Sequence, residues 1–178
     1  KEGRATHGKV GSSVNTERKI RYDVYMRNTD VLREIDEMIY RRMRERINAD
    51  FNIDWLFREQ WKMGYYDGEK KGFYDQHRDT YGTMEYRKIS IIVVLSDPKD
   101  YEGGELYFSE LNKSYKLNKG TIVVFKSDEM HGVTPVTSGK RKVIISFGFD
   151  QDGLKKKYEI DKTMNEERVK ERYVPFVK

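Results

Sequence analysis

The sequence predicts a mainly β domain with one long N-terminal helix, of the sandwich, jelly-roll or barrel type. Apolar residues recur at helical spacing before residue 50, and short β-rich segments separated by turn residues follow from residue 55. The chain has no internal repeat and contains only three prolines. Its 178 residues suit one domain with extensions.

The helix is predicted from a cap signal and an apolar stripe. Asn28, Thr29 and Asp30 offer N-cap chemistry. The stripe that follows recurs every three to four residues, at Leu32, Ile35, Ile39, Met43 and Ile47. We therefore expect an amphipathic helix of about four turns that needs a sheet or a second helix to cover its apolar face.

The period changes to two after the helix, which is typical of strands. We expect a strand over 55–66, a hairpin loop over 67–72 and the returning strand over 73–79. A loop over 80–87 precedes the continuously apolar, β-branched segment 89–95, which is predicted to be a strand buried on both sides.

Five further short strands complete a predicted total of eight. Turn-rich pieces separate them, including a turn predicted over 137–140. They are expected at 105–108, 114–117, 121–125, 130–136 and 141–149. The Lys/Glu-rich segment 151–178 is predicted to form a helix that ends before Pro175.

Charge divides the chain into three parts. Residues 1–30, interpreted as an N-terminal arm, carry a net charge of +3, and the charged extension 151–178 carries +2. The domain between them, 31–150, has 20 basic and 20 acidic residues, and we expect the extension to belong to the same domain. A neutral core argues against a nucleic-acid-binding face.

Other function classes are excluded by composition. The absence of cysteine rules out disulfides, thiolate metal sites and Cys nucleophiles. The longest run without a charged residue, 130–139, is half of what a membrane-spanning helix needs. The first residues show no apolar segment of the signal-peptide type, so we expect a cytoplasmic protein without a membrane partner.

A possible metal site is suggested by two of the three histidines. His77 and Asp79 are two residues apart on a predicted strand, so their side chains share a face while Arg78 points away. His131 begins a later strand and could supply a third ligand. Two histidines and one carboxylate form the facial triad of non-haem Fe(II) oxygenases. A histidine that is merely salt-bridged to a carboxylate is the alternative.

Arg141 is the second candidate for function. It shares a strand face with the apolar side chains at 143, 145, 147 and 149, whereas the lysines that flank it point to solvent. A guanidinium on an inward apolar face is costly unless an anion meets it. A small-molecule carboxylate suits its planar fork, and a pairing with Asp128 or Glu129 is the alternative.

Four pieces of the sequence resemble the 2-oxoglutarate- and Fe(II)-dependent dioxygenases of the prolyl 4-hydroxylase-like branch. In chain order they are FYDQHRD at 73–79, LSDP leading to YEGGEL at 95–106, GTIVVF at 120–125, and HGVTPV followed by GKR at 131–141. The order and spacing agree with that family over roughly residues 60–150. The resemblance implies a double-stranded β-helix (jelly roll) with N-terminal helices packed on it.

The resemblance also implies a role for individual residues. His77, Asp79 and His131 would bind Fe(II), and Arg141 would bind the distal carboxylate of 2-oxoglutarate. Tyr66 is the nearest match to a tyrosine that helps to hold this carboxylate. The long loop 67–72 leaves Tyr65 as an alternative. Tyr74 matches a tyrosine on the substrate side, although ordinary strand packing would explain either tyrosine equally well.

The implied activity is hydroxylation of a C–H bond with O₂, while 2-oxoglutarate becomes succinate and CO₂. A hydroxylase is favoured because halogenating relatives lack a carboxylate at the position of Asp79. The branch suggests a prolyl residue of a peptide or protein as the substrate. A free amino acid or another small molecule is one alternative, and a non-catalytic jelly-roll binding module is another.

Overall fold

The computed structural model describes residues 6–8, 15–163 and 173–175. The helices are α1 (Thr29–Phe51) and α2 (Gln151–Thr163). The strands are β1 (Thr6–His7), β2 (Tyr22–Tyr25), β3 (Phe57–Glu59), β4 (Lys62–Asp67), β5 (Tyr74–His77), β6 (Ile89–Val94), β7 (Tyr101–Gly103), β8 (Leu106–Phe108), β9 (Lys113–Tyr115), β10 (Ile122–Lys126), β11 (His131–Val133), β12 (Val136–Phe149) and β13 (Tyr173–Pro175). Single 3₁₀ turns lie at Gly68–Lys70, Gly82–Met84 and Pro98–Asp100.

Helix α1 begins where the cap signal predicts. The Asn28 side chain accepts hydrogen bonds from the backbone N–H groups of Asp30 and Val31. The helix has 23 residues, roughly six turns rather than the four expected. No helix-breaking residue follows Ile47 until Asn52, whose left-handed conformation ends the helix.

The main sheet is built around the 14-residue strand β12. On one side β12 pairs with β4 and then with β3, and on the other side it pairs with β6 and β7. Strand β2 extends the sheet beyond β4, and β10 extends it beyond β6. Every pairing is antiparallel, and all six residues of β6 are buried, as predicted for 89–95.

A second sheet, of order β5-β11-β8-β9, is also antiparallel. One apolar cluster joins residues of both sheets, among them Leu106 and Val133 from the second sheet and Val143 and Ile145 from β12. A second cluster lies on the other side of the main sheet, where α1 covers it with Ile39 and Ile47. Mainly β architecture with a packed N-terminal helix, the predicted fold class, is therefore confirmed.

The single strand predicted over 55–66 is wrong, because the chain forms two strands, β3 and β4. Arg58 and Trp61 both reach the carboxylate of Asp36 on α1: Arg58 forms an ion pair with it, and Trp61 Nε1 donates to Oδ1 at 2.7 Å. Residues three apart point to opposite faces of a regular strand. The break between β3 and β4 lets both side chains face the helix.

The predicted hairpin around 67–72 and the predicted turn over 137–140 are also wrong. Strand β4 lies in the main sheet and β5 in the second sheet, so the loop carries the chain between sheets. Residues 137–140 continue β12, since Gly139 at φ 69° lets the strand pair closely with Tyr101 of β7. Ten strands therefore lie between α1 and α2, where the sequence predicted eight.

The terminal segments join the domain more closely than expected. Part of the predicted N-terminal arm is β2, which pairs with β4 inside the main sheet. The C-terminal helix is confirmed over Gln151–Thr163, but Tyr173–Pro175 forms a strand paired with β3, and 164–172 lie outside the described residues. Neither of the described helices is long and apolar enough to cross a membrane.

Candidate active site

The structure brings His77, Asp79 and His131 together between the two sheets. His77 ends β5 and His131 begins β11, and the two are directly opposite each other in the antiparallel register. The Nε2 atom of each ring lies 3.4 Å from a different carboxylate oxygen of Asp79. One ligand atom from each residue falls within 4.8 Å of the others. This spacing allows one metal ion to contact all three.

Backbone carbonyls fix the orientation of both imidazoles. His77 Nδ1 lies 2.8 Å from the carbonyl of Asp75, and His131 Nδ1 lies 2.9 Å from the carbonyl of Glu129. A carbonyl can only accept, so each Nδ1 carries the proton and each Nε2 keeps its lone pair. Metal-binding histidines are typically oriented by a hydrogen bond of this kind.

The Asp79 carboxylate is held by groups that the sequence analysis did not identify. Ser90 Oγ donates to Asp79 Oδ2 at 2.7 Å, and Ser127 Oγ lies 3.0 Å from Ser90 Oγ. The backbone N–H of Asp79 donates to the carbonyl of Ser127 at 2.8 Å. A lone serine within the buried strand ISIIVV was the available signal, because a buried hydroxyl requires a partner.

Electrostatics favour the metal-binding protonation states of Asp79 and His131. Burial alone would raise the pKa of Asp79, but the positive charges around it, those of His77 and His131 when protonated and that of Arg87, bring it well below its usual value. Burial lowers the pKa of His131, with Asp79 opposing the shift. An ionised carboxylate and neutral imidazoles are the forms that bind divalent metals.

Arg141 faces the space between the sheets, as its strand parity predicts. Its guanidinium lies over the ring of Tyr66, 5.2 Å from the centroid, and the residue is 3% exposed. It forms no ion pair within the described part of the chain, so the predicted alternative of pairing with Asp128 or Glu129 is wrong. A buried cation without an anionic partner suits an anionic ligand.

The two tyrosines that the sequence left open are separated by the sheet. Tyr66 is 1% exposed and lies on the inner face beside Arg141. Tyr65 lies on the opposite face, where its ring stacks on Tyr22 at a centroid distance of 4.9 Å. Tyr66 is therefore the one of the pair that can meet a ligand held by Arg141.

Tyr74 stands next to the triad. Its ring stacks on that of His77 with centroids 3.6 Å apart, and Lys19 lies over its ring at 4.5 Å. Burial raises the pKa of the Tyr74 hydroxyl, which therefore stays protonated. Tyr74 can contact whatever approaches the metal position from this side.

Strand β2 and the residues before it add buried charges that sequence reasoning missed. Arg21 forms two hydrogen bonds with Asp23, at 2.6 and 2.9 Å, and a longer one with the Tyr66 hydroxyl at 3.4 Å. Lys19 lies 3.4 Å from the same carboxylate. Burial, aided by the charge of Arg21, lowers the pKa of Lys19 to about 6 despite Asp23.

Comparison with known proteins agrees with this geometry. Residues 62–149 match the family model described as the 2OG-Fe(II) oxygenase superfamily. A PKHD-type hydroxylase of Colwellia psychrerythraea is 44% identical over 61 residues, which are 33% of this chain and 27% of that protein. Matches to two further PKHD-type hydroxylases cover 30% and 37% of their length, so the chain spans about a third of these relatives.

Two solved structures share the fold. A prolyl hydroxylase of Trichoplax adhaerens superposes with a TM-score of 0.67 at 19% identity, covering 87% of this chain and 73% of that one. A prolyl-4-hydroxylase of Pseudomonas putida gives a TM-score of 0.60 at 19% identity, covering 82% and 77%. At such identity these structures establish the fold, which is that of the 2-oxoglutarate oxygenase jelly rolls.

The fold, the clustered triad and the family match together define the class. The chain carries a domain of the 2OG-Fe(II) oxygenase superfamily, whose members use Fe(II), 2-oxoglutarate and O₂. Within that class it resembles the prolyl 4-hydroxylase-like branch, as the four sequence pieces predicted.

Proposed function

We propose that the chain is a 2-oxoglutarate- and Fe(II)-dependent dioxygenase that hydroxylates a prolyl residue of a peptide or protein. The observation that carries this proposal is the convergence of His77, Asp79 and His131 at one point between the sheets. A non-catalytic binding module would not need two oriented imidazoles around an ionised carboxylate, nor a buried arginine that makes no ion pair within the described residues.

The donor set fits Fe(II). Two imidazole nitrogens and one carboxylate oxygen, from His77, His131 and Asp79, would hold the ion, and this is the ligand set of non-haem Fe(II) oxygenases. Iron bound there, together with 2-oxoglutarate and O₂, supplies the oxidation that replaces C–H by C–OH. The chain's part is to hold the two rings through the Asp75 and Glu129 carbonyls and to keep Asp79 ionised.

Arg141 and Tyr66 would bind the carboxylate of 2-oxoglutarate that is farther from the metal. The guanidinium can donate two parallel hydrogen bonds, and the Tyr66 hydroxyl can add one. The inward residues of β12 beyond Arg141, Val143, Ile145 and Phe147, are apolar and buried, so they would give the co-substrate an apolar surrounding. This arrangement fixes the orientation of the co-substrate.

A prolyl substrate is supported by two similarities. The curated relatives are PKHD-type hydroxylases, and the Trichoplax structure is a prolyl hydroxylase in complex with a peptide fragment. Tyr74, which stacks on His77, would contact the substrate ring. The cytoplasmic location expected from the sequence stays a prediction.

The test is incubation of the protein with Fe(II), 2-oxoglutarate, O₂ and a panel of proline-containing peptides, followed by mass spectrometry. We expect a product heavier by about 16 Da, the mass of one oxygen atom, and formation of succinate. His131→Ala should abolish both, and it should also lose divalent metal measured by elemental analysis while the circular dichroism spectrum is kept. Full turnover by this variant would overturn the proposed metal site.

A further inference from the structure

A second cation on the inner face of the main sheet, besides Arg141, has no ion-pair partner among the described residues. Lys62 begins β4, and its ammonium lies 5.1 Å from the ring centroid of Phe147, inside the space between the sheets. It makes no hydrogen bond or ion pair within the described part of the chain. The residue is partly exposed, so a molecule can reach it from outside.

The carboxylates near Lys62 already have arginine partners. Asp23 is held by Arg21 through two hydrogen bonds. Glu59 is held by Arg87 in the same way, at 2.5 and 3.0 Å. The charges of these four groups act on Lys62, and its pKa is lowered, mainly by burial and further by the two arginines, with the two carboxylates opposing the shift. Arg21, Arg87 and Lys62 thus share two carboxylates, and Lys19, 3.4 Å from Asp23, adds a fourth basic group.

Lys62 is linked to the metal position through Phe147. The Phe147 ring below its ammonium also contacts Arg87, whose guanidinium carbon is 3.7 Å from the ring centroid. Arg87 donates to the Asp79 carbonyl at 3.2 Å. Ser90, directly opposite Phe147 in the register of β6 and β12, donates to the Asp79 carboxylate. Arg87 and Ser90 therefore connect Phe147, and with it Lys62, to Asp79 of the triad.

Lys62 is too far from Arg141 to serve the same end of 2-oxoglutarate. It is opposite Ile145, four residues along β12 from Arg141, a distance of about 13 Å along the strand. Arg141 anchors the co-substrate in the proposed function, so the Lys62 ammonium is left for another anion.

We propose that Lys62 binds a carboxylate of the substrate, placed close to the carbon that is oxidised. This inference rests on the proposed prolyl hydroxylation and narrows its substrate. In a peptide the carboxylate can come from an Asp or Glu next to the proline or from a C-terminal proline. In a free amino acid it is the α-carboxylate.

The experiment measures binding without turnover, by anaerobic calorimetry on protein loaded with Mn(II) and 2-oxoglutarate. Three pairs of probes each compare an acidic form with a neutral one. The first pair is a proline peptide with Glu or with Gln beside the proline. The second is a peptide that ends in proline, with a free carboxylate or an amide, and the third is free proline as the acid or the amide. We expect one acidic form to bind at least 30-fold more tightly than its neutral counterpart, and the pair that differs identifies the source of the carboxylate.

Lys62→Met tests the residue itself, with Lys142→Met as the matched control, since Lys142 is exposed on the neighbouring strand. Lys62→Met should remove the preference for the acidic probe and leave the affinity for 2-oxoglutarate unchanged. It should also raise the melting temperature of the free protein, because an unpaired, partly buried charge is lost. Lys142→Met should change neither the preference for the acidic probe, nor the affinity for 2-oxoglutarate, nor the melting temperature.

The outcomes separate this inference from the proposed function. If the parent protein binds acidic and neutral proline probes equally, Lys62 does not select a carboxylate, and prolyl hydroxylation stands. If Lys62→Met weakens 2-oxoglutarate as much as the acidic probe, the residue belongs to the co-substrate site and the inference is wrong. If 2-oxoglutarate binds but no proline probe does, the prolyl substrate is wrong, and the inference falls with it.

Discussion

Arg141 shows how one residue can indicate a ligand. It is buried on an apolar sheet face, lies over the Tyr66 ring, and has no ion pair within the described residues. The desolvation of such a cation must be offset by something that binds it. Strand parity alone predicted its orientation, and the structure adds that neither of the nearby acidic residues proposed from the sequence reaches it.

At this scale we expect Arg141→Gln to weaken 2-oxoglutarate binding by about 2–5 kcal/mol, roughly 30-fold to several thousand-fold. The cause is the loss of two charge-assisted hydrogen bonds to a carboxylate in a site of low polarity. Titration of 2-oxoglutarate into the Mn(II)-loaded protein without oxygen measures the effect. Lys142→Gln is the control, since its side chain points to solvent. Unchanged affinity in Arg141→Gln would show that the anchor lies elsewhere.

At the scale of elements, the length of β12 depends on one glycine. Gly139 has φ 69°, and a Cβ built on it would lie 2.0 Å from the carbonyl oxygen of Asp100. Any side chain would push β7 away from β12. The sequence predicted a turn at the same glycine, because a turn and a close approach between strands both use the conformational freedom of glycine.

Gly139→Ala should therefore destabilise the protein by more than about 3 kcal/mol, since it combines an unfavourable φ with a clash against backbone. Gly120 provides a matched comparison: it also has positive φ, 85°, but a Cβ there would meet nothing within 4 Å. Gly120→Ala should cost only about 1–2 kcal/mol. Urea unfolding measures both free energies. Equal losses would mean that the β7–β12 contact contributes little.

At the scale of the whole molecule, the two sheets share the site. The triad histidines lie on the second sheet, whereas Arg141 and Tyr66 lie on the main sheet. A metal ion and 2-oxoglutarate bound together would connect β5 and β11 with β12. Ligands that bind only the folded state stabilise it by mass action.

Mn(II) and 2-oxoglutarate, each at about 100 times its dissociation constant, should each add about 2.7 kcal/mol. For a protein of this size each increment raises the melting temperature by about 5–10 °C. Thermal unfolding followed by circular dichroism, with and without a chelator, measures the shifts. Arg141→Gln should keep the metal increment and lose most of the increment from 2-oxoglutarate at the same concentration. Loss of both would mean that the variant disturbs the triad.

The sequence by itself determined the secondary-structure class, the start of α1, the inward face of β12 and the three residues of the triad. These depend on short-range rules: caps, side-chain periodicity, and the limited set of residues that bind metals. The resemblance of the motifs to the 2-oxoglutarate dioxygenases predicted that His77, Asp79 and His131 bind one metal ion, before any distance between them was known.

Only the tertiary structure decided which strands share a sheet and which charges meet. The break between β3 and β4 arises because the side chains of Arg58 and Trp61 both donate hydrogen bonds to Asp36, a residue more than 20 positions away. The buried charges of β2, and the Lys62 ammonium that makes no ion pair within the described residues, likewise depend on which strand lies next to β4. Such pairings arise from contacts between distant segments, and local periodicity carries no information about them.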